Sequence, residues 1–446
     1  MKRSILIILG KIIAWIGQRL GRGSTLPGQL VLKFDPDMLK KLELPNKIIA
    51  VTGSSGKGSI TKVIATILRQ DGYTVAHNES GSNLEAGILT MLLNEATIGG
   101  KIKADYLVCE VDERYTKYVF PKIHPQYVVV TNITRDQPPR QGHFDKVFTE
   151  IEKALDKNMH LILNADDPYL QKFENHGCKI TYYGIGKNRY SSTTSKYENL
   201  NISHCPVCHK KLQYHYYQFE ALGDYYCSCK QFKRPAPQYE ATSLNLEKSK
   251  MTINKKYEIY LKPTLLYNAY NMLACYTLLA CLGKKEKQIA EQLTEISRHA
   301  SKENFFTVGK RNVHVLNNKN ENSTTFNQSI AYTTRFKEAK TIVIGWKEIS
   351  RRYQYDDLSW LYDIDFELLN HPTLEKIVCV GINRYDIATR MKYAGIDEKK
   401  IVVFETLEDA VFYLNHRTKE DIFAILNFDY VKPFSNLMKG SDKHGN

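Results

Sequence analysis

Apolar residues in this chain fall into short blocks whose internal spacing switches between two periods. Residues 47–52 (Lys-Ile-Ile-Ala-Val-Thr) form a β-branched run that ends in a glycine-containing turn, and residues 59–70 then repeat apolar positions at helical spacing. This succession predicts strand, loop, helix. Residues 105–111 and 126–131 read as two further buried strands, 144–156 as a helix and 159–163 as another strand. Such alternation predicts an α/β fold with a mostly parallel sheet covered on both faces. From about 186 to 240 the pattern breaks into irregular, tyrosine-rich sequence with cysteines, which reads as an insertion. A helix is predicted at 267–282. A second alternation then begins near residue 313, with strands at 313–317, 340–345, 376–380 and 400–404 and helices at 326–336, 384–394 and 407–414. It predicts a second, smaller doubly wound (Rossmann-like) domain.

The expected division is residues 1–45 as an N-terminal helix and entry segment, 46–300 as a central domain and 301–446 as a C-terminal α/β domain, with an insertion at about 200–237. A length of 446 residues suits two or three domains. The stretch 4–16 is strongly apolar, interrupted or flanked by Lys2, Arg3, Lys11, Arg19 and Arg22. It is too short to span a bilayer, and no small-residue cleavage site follows it. A cytoplasmic protein is expected. Two readings of this segment stay open: a helix packed on its own domain, or a basic amphipathic helix lying at a membrane surface.

Composition adds little until charge is considered. Hydrophobic residues make up 43% and charged residues 25%, as in ordinary globular proteins, which excludes a disordered chain. The net charge of +14 points to an anionic partner, whether nucleotide, nucleic acid, membrane or phosphorylated substrate. Of nine cysteines, Cys109, Cys178, Cys275, Cys281 and Cys379 sit in apolar segments and read as core thiols.

Candidate chemistry starts at Gly53-Ser54-Ser55-Gly56-Lys57-Gly58-Ser59, a glycine-rich loop between a strand and a helix. Glycines let backbone N–H groups close around phosphate, Lys57 neutralises charge, and the Ser59 hydroxyl can sit on Mg²⁺. Glu110, at the end of the second strand, is a candidate magnesium carboxylate, followed by Asp112 and Glu113. Thr131-Asn132-Ile133-Thr134-Arg135-Asp136 follows the third strand, so its polar groups are expected at the same crevice; Arg135 and Asp136 read equally well as a local ion pair. Cys205, Cys208, Cys227 and Cys229 form two close pairs suited to a tetrahedral, structural Zn²⁺ site. The alternative is four reduced thiols without metal.

Together these motifs resemble the Mur ligase superfamily and, within it, the MurT branch. Mur ligases carry such a loop, a TN-x-x-RD stretch and a helix with an asparagine-rich start, here Tyr267-Asn268-Ala269-Tyr270-Asn271. MurT proteins add a Gly-Arg-Gly-Ser-Thr-Leu-Pro-Gly segment, matched at 21–28, and a four-cysteine zinc ribbon inserted in the central domain. Lys319-Asn320, Phe326-Asn327-Gln328 and Asp357-Leu358-Ser359-Trp360 resemble stretches of the MurT C-terminal domain. The resemblance implies a Mur-ligase-like P-loop ATPase domain with Asn268 and Asn271 at the nucleotide. It implies ATP and Mg²⁺ as cofactors and Lys57 and Glu110 in the chemistry. The implied activity is amidation of the D-glutamate α-carboxylate of lipid II through an acyl phosphate. It further implies that the C-terminal domain helps close the ATP site and docks a GatD-type glutaminase, with Asp357 orienting the partner's catalytic histidine. Asp356, next to it, competes for that role.

This sequence departs from the family at several points. The loop is GSSGKGS rather than GTNGKTT, Pro138-Pro139 interrupts the RDQ stretch, Glu321 replaces a proline, and 351–355 is basic and aromatic. Two other readings compete. One is a Mur-type ligase that adds a whole amino acid or acts on another cell-wall precursor without a glutaminase. The other is nucleic-acid binding through Lys210, Lys211, Lys230, Lys233 and Arg234 around the ribbon; the expectation is that no nucleic acid is bound.

Overall fold

The structure, a computed structural model, describes residues 2–19, 24–79, 81–134, 144–198, 200, 202–261, 265–299, 305–316, 322–347 and 358–440. Two helices open the chain, α1 (Lys2–Arg19) and α2 (Leu26–Phe34). Alternation follows: β1 (Lys47–Thr52), α3 (Lys57–Gln70), β2 (Val75–His77), α4 (Glu85–Glu95), β3 (Tyr106–Glu110), α5 (Thr116–Ile123) and β4 (Tyr127–Val130). Then come α6 (Phe144–Glu152), β5 (His160–Asn164), the one-turn α7 (Pro168–Gln171) and β6 (Lys179–Ile185). A hairpin of β7 (Gln213–Phe219) and β8 (Leu222–Tyr226) forms its own small sheet. The chain returns as β9 (Tyr239–Asn245), β10 (Lys250–Ile253) and β11 (Tyr257–Tyr260), followed by α8 (Leu266–Cys281) and α9 (Glu286–His299).

The large sheet runs β11-β10-β9-β6-β5-β4-β1-β3-β2. From β2 to β6 every pairing is parallel, and β9 joins β6 in parallel before β9, β10 and β11 turn antiparallel. β1 is buried on both faces, which is why its sequence is a continuous apolar run. Ile48 and Ala50 pack into a layer with Leu89, Phe120 and Val147, while Ile49 and Val51 face Ile64, Leu273 and Leu278. β1 also lies between β3 and β4, where successive strands leave toward opposite sides, so loops at its carboxyl end meet in a crevice.

The second sheet contains β12 (Phe305–Val308), β13 (Arg311–Val315), β14 (Lys340–Trp346), β15 (Leu374–Gly381), β16 (Ile401–Phe404) and β17 (Asp421–Leu426), ordered β12-β13-β17-β14-β15-β16. Only β12 is antiparallel to its neighbour. α10 (Ser323–Thr333) and α11 (Arg384–Tyr393) cover one face with Trp346 and Trp360, and α12 (Leu407–Arg417) and α13 (Phe428–Gly440) cover the other.

The sequence pattern leaves β17 unassigned, although it is central to this sheet. Its apolar run, Ile422–Leu426, is bounded by Asp421 and Asn427 and is as long as the runs read as strands at 376–380 and 400–404. The helix expected at 144–156 ends at Glu152. Of the five thiols read as core, Cys109, Cys275 and Cys379 are buried, whereas Cys178 and Cys281 are half-buried. Gly28 has a packing role: a Cβ there would stand 1.9 Å from the carbonyl oxygen of Ala86, so α2 approaches α4 through it. Gly21, Arg22 and Gly23 lie outside the described residues. Among the described residues no helix is long and apolar enough to cross a membrane.

Candidate active site

The loop after β1 is held by the strand beside it. Ser54 N–H donates to the carbonyl of Asn132 (2.9 Å) and Ser55 N–H to Asn132 Oδ1 (3.0 Å), while Asn132 Nδ2 returns a bond to the Ser55 carbonyl (3.2 Å). Ser54 Oγ donates to the Thr134 carbonyl and accepts from Thr134 N–H. Thus the Thr131–Thr134 part of the predicted motif braces the loop. Arg135 and Asp136 lie outside the described residues. Gly53 and Gly56 have φ of +116° and +89°, where a side chain would be strained. A Cβ on Gly56 would also stand 2.6 Å from Asn271 Oδ1, so Asn271 on α8 seats directly on the loop. Asn268 lies one turn earlier on the same helix and is half-buried.

Helix α3 begins at Lys57, and its first-turn amides precede the first i−4 bond, from Ile60 N–H to the Gly56 carbonyl. Amides in that position converge on an anion in front of the helix. Gly58 and Ser59 are exposed there. The Lys57 ammonium is buried: Nζ donates to the carbonyls of Gly53 (2.6 Å) and Ser54 (3.4 Å) and pairs with Glu113 Oε1 (2.8 Å).

Glu110 ends β3 opposite the loop. Its Oε2 would lie 3.0 Å from a Cβ on Gly58, so carboxylate and helix start face one another at close range. Asn83 Nδ2 donates to Glu110 Oε1 (2.9 Å), and Asn78 bonds both backbone groups of the same residue. Asp112 is engaged elsewhere: burial pushes its carboxyl up, but Arg114, at 3.1 Å, more than offsets this and the net shift is downward. Sequence reasoning gave Glu113 less weight than Glu110 and did not single out Asn78 or Asn83. Their signal is positional, since all follow the carboxyl ends of β2 and β3. The donor set fits a phosphate-bound Mg²⁺: a hydroxyl, a carboxylate, and loop amides around a lysine.

The four cysteine sulfurs converge. All lie within 4.8 Å of one another, with Cys205 to Cys229 at 3.9 Å and Cys208 to Cys227 at 3.4 Å, and none is in a disulfide. A tetrahedron with metal–sulfur bonds of about 2.3 Å has edges of about 3.8 Å, close to these separations. His209 and Lys230, just after each pair, adopt left-handed φ of 59° and 64°, turning the chain back around the sulfurs. The module's own apolar core is small, comprising Leu212, Tyr225 and Phe232 beside two of the cysteines. Arg234, read from sequence as part of a basic rim, is instead an anchor. Its Nε meets Oδ1 of the fully buried Asp166 at 2.7 Å, and the Tyr270 hydroxyl donates to the other oxygen of that carboxylate.

The hairpin also reaches the second sheet. Glu220, in the β7–β8 turn at φ 46°, accepts from Asn327 Nδ2 (3.0 Å) and Thr324 Oγ1 (3.1 Å) on α10. Asn327 Nδ2 also donates to Asp365 Oδ2 (2.8 Å), and Asp365 Oδ1 accepts from Glu198 N–H (2.8 Å). Burial pushes Glu220 up to about 8 and raises Asp365 in the same direction. Phe326-Asn327-Gln328, noted for resemblance alone, therefore supplies the link between the two sheets. Lys319, Asn320, Glu321, Asp356 and Asp357 lie outside the described residues; Ser359 and Trp360 form a short helical turn with the indole in the core.

A phosphate loop at the switch point of a parallel sheet, followed by a second α/β sheet, is the architecture of a Mur-type ATP-dependent ligase. Solved structures agree on the fold: a pseudomurein peptide ligase type C from Methanothermus fervidus (TM-score 0.66, 19% identity, 93% of this chain and 84% of that one), and the MurF ligase of Thermotoga maritima solved with ADP (TM-score 0.60, 16% identity, 92% and 85%). The family model of the Mur ligase middle domain matches residues 51–279, and that of the MurT ligase C-terminal domain matches 320–430. Over the full length of both chains, this protein is 30% identical to the lipid II isoglutaminyl synthase (glutamine-hydrolyzing) subunit MurT of Staphylococcus aureus (strain COL). It is 27% identical to the protein of that name in Streptococcus pneumoniae (strain ATCC BAA-255 / R6), over 98% of this chain and 97% of that one. The chain belongs to the MurT family.

Proposed function

We propose that this protein is the ligase subunit of an enzyme that amidates lipid II during peptidoglycan synthesis, turning the α-carboxylate of its D-glutamate into D-isoglutamine. The observation that carries this is full-length similarity, at 30% identity, to a subunit named for that reaction, joined to a glycine-rich loop that faces the Glu110 carboxylate. A carboxylate is a poor electrophile, so ATP converts it to an acyl phosphate and ammonia displaces the phosphate. The loop Gly53-Ser54-Ser55-Gly56-Lys57-Gly58-Ser59 cradles the phosphates, Lys57 offsets charge on the transferring group, and Asn268 and Asn271 line the nucleotide. Ser59 and Glu110 would hold Mg²⁺, which screens the phosphate oxygens when bound. Cys205, Cys208, Cys227 and Cys229 would hold a structural Zn²⁺; with every position filled by thiolate, no site opens for catalysis.

Relatives named as subunits imply a complex, and the partner in this reading is a GatD-type glutaminase that releases ammonia from glutamine. Asp357 would orient the catalytic histidine of that partner, and lipid II would be met at the membrane surface. The domain division at residues 45 and 300 belongs to the same reading. The test compares two nitrogen sources on lipid II with ATP and Mg²⁺. Wild-type complex yields amidated product from glutamine or from ammonium. Asp357→Asn loses glutamine-dependent product, because it loses the charge that stabilises the imidazolium, and keeps ammonium-dependent product. Equal impairment with both sources would move Asp357 out of the glutaminase role. Incorporation of a whole amino acid without ammonium would replace this reading with an amino-acid ligase.

A further inference from the structure

Helix α1 has two apolar faces, and among the described residues only one of them is covered. Leu6, Ile7, Gly10, Ala14 and Gly17 fall in one arc of roughly 100° and are buried against the domain. The approach is close, since a Cβ on Gly10 would stand 2.8 Å from Leu93 Cδ1. Ile5, Ile8, Ile12, Trp15 and Ile16 occupy an opposing arc of similar width and are exposed, Ile5 at 58% and Trp15 at 56%. Phe34, at the end of α2, is exposed as well. Five large apolar side chains in one solvent-facing stripe are an interaction surface, not scattered exposure.

We propose that this stripe docks on an anionic lipid bilayer, with α1 lying in the interface. Charge selects the occupant. Residues 1–34 contain six basic residues, Lys2, Arg3, Lys11, Arg19, Arg22 and Lys33, and no acidic one. Arg3 and Lys11 donate to backbone carbonyls, of Lys41 (3.0 Å) and Asn94 (2.8 Å), so these bonds leave their charge unneutralised. A second copy of this chain would bring the same charge to the contact and be repelled, whereas anionic headgroups are complementary. The Arg19 guanidinium stacks 3.8 Å from the centroid of the Trp15 ring, joining an interfacial aromatic to a cation. Because the opposite face is fixed in the core, the helix settles parallel to the surface and does not cross it. The proposal goes beyond the ligase reading and does not depend on it.

Tryptophan emission tests this in the full chain. Of three tryptophans, Trp346 and Trp360 are 2% exposed, so Trp15 alone can report a new environment. Phosphatidylglycerol vesicles should blue-shift the emission and carry the protein down on sedimentation, and phosphatidylcholine vesicles should do so far less. Trp15→Phe should abolish the shift and keep sedimentation. Ile12→Glu with Trp15→Glu should weaken sedimentation at least about tenfold and leave basal ATP hydrolysis unchanged, which reports an intact fold. Absence of both shift and sedimentation with phosphatidylglycerol would overturn the proposal. So would undiminished binding of the double variant, or a Trp15 already shielded before vesicles are added, the mark of a second copy or a protein partner on this face.

Discussion

Lys57 shows how one side chain carries both chemistry and stability. Its ammonium pairs with Glu113, whose side chain is 0% exposed, and spans two loop carbonyls. From sequence it is a phosphate ligand, yet here it also compensates a buried charge. Lys57→Ala should therefore lower ATP turnover by about a hundredfold or more and destabilise the fold by about 3 kcal/mol. Adding Glu113→Gln should recover most of the stability and none of the turnover, as thermal unfolding and phosphate release would show. A variant of wild-type turnover would remove the nucleotide site from the account. The loop itself was legible because its chemistry is local: glycines, lysine and hydroxyl within seven residues. The Glu113 partnership was not, because it joins positions 56 residues apart through the packing of two strand ends.

Among the elements, the β7–β8 hairpin depends on groups that the apolar pattern does not reveal. Four cysteines at short spacing announce a metal module, but nothing in that spacing says that its far turn touches α10. Replacing Cys205 and Cys208 by Ser should abolish bound zinc, read by elemental analysis, and loosen the hairpin, since the module's apolar core is small. Zinc-free wild-type protein prepared without chelator would refute the site.

The Glu220 contact adds a pH dependence. A carboxyl whose folded pKa of about 8 exceeds its unfolded value contributes less to stability as pH rises between the two values, and no further loss follows above 8. Asp365, facing the same Asn327 amide and also raised, acts in the same direction. Glu220→Gln keeps an acceptor for Asn327 and offers a donor to Thr324. It should raise the melting temperature near pH 8 and flatten its decline between pH 6 and 8. An unchanged slope would assign that decline to other groups.

At the scale of the whole molecule, the two alternations of strand and helix were visible because central parallel strands are buried on both faces and read as unbroken apolar runs. β9 to β11, which interleave polar residues, and β2, three residues long, escaped, and so did the central strands β6 and β17. The relation between the two sheets was illegible for another reason. It rests on Glu220, Asn327, Asp365 and the Glu198 amide, polar groups scattered over 168 positions, each unremarkable alone. The central claim is that this fold activates a carboxylate with ATP, and isotope transfer tests it most directly. Lipid II carrying heavy oxygen in the D-glutamate α-carboxylate would be turned over with ATP, Mg²⁺ and ammonium, and the released phosphate examined by mass spectrometry. The account predicts one heavy oxygen in each phosphate released with amidated product, because the acyl phosphate leaves with an oxygen of the substrate. Amidated product accompanied by unlabelled phosphate would contradict it.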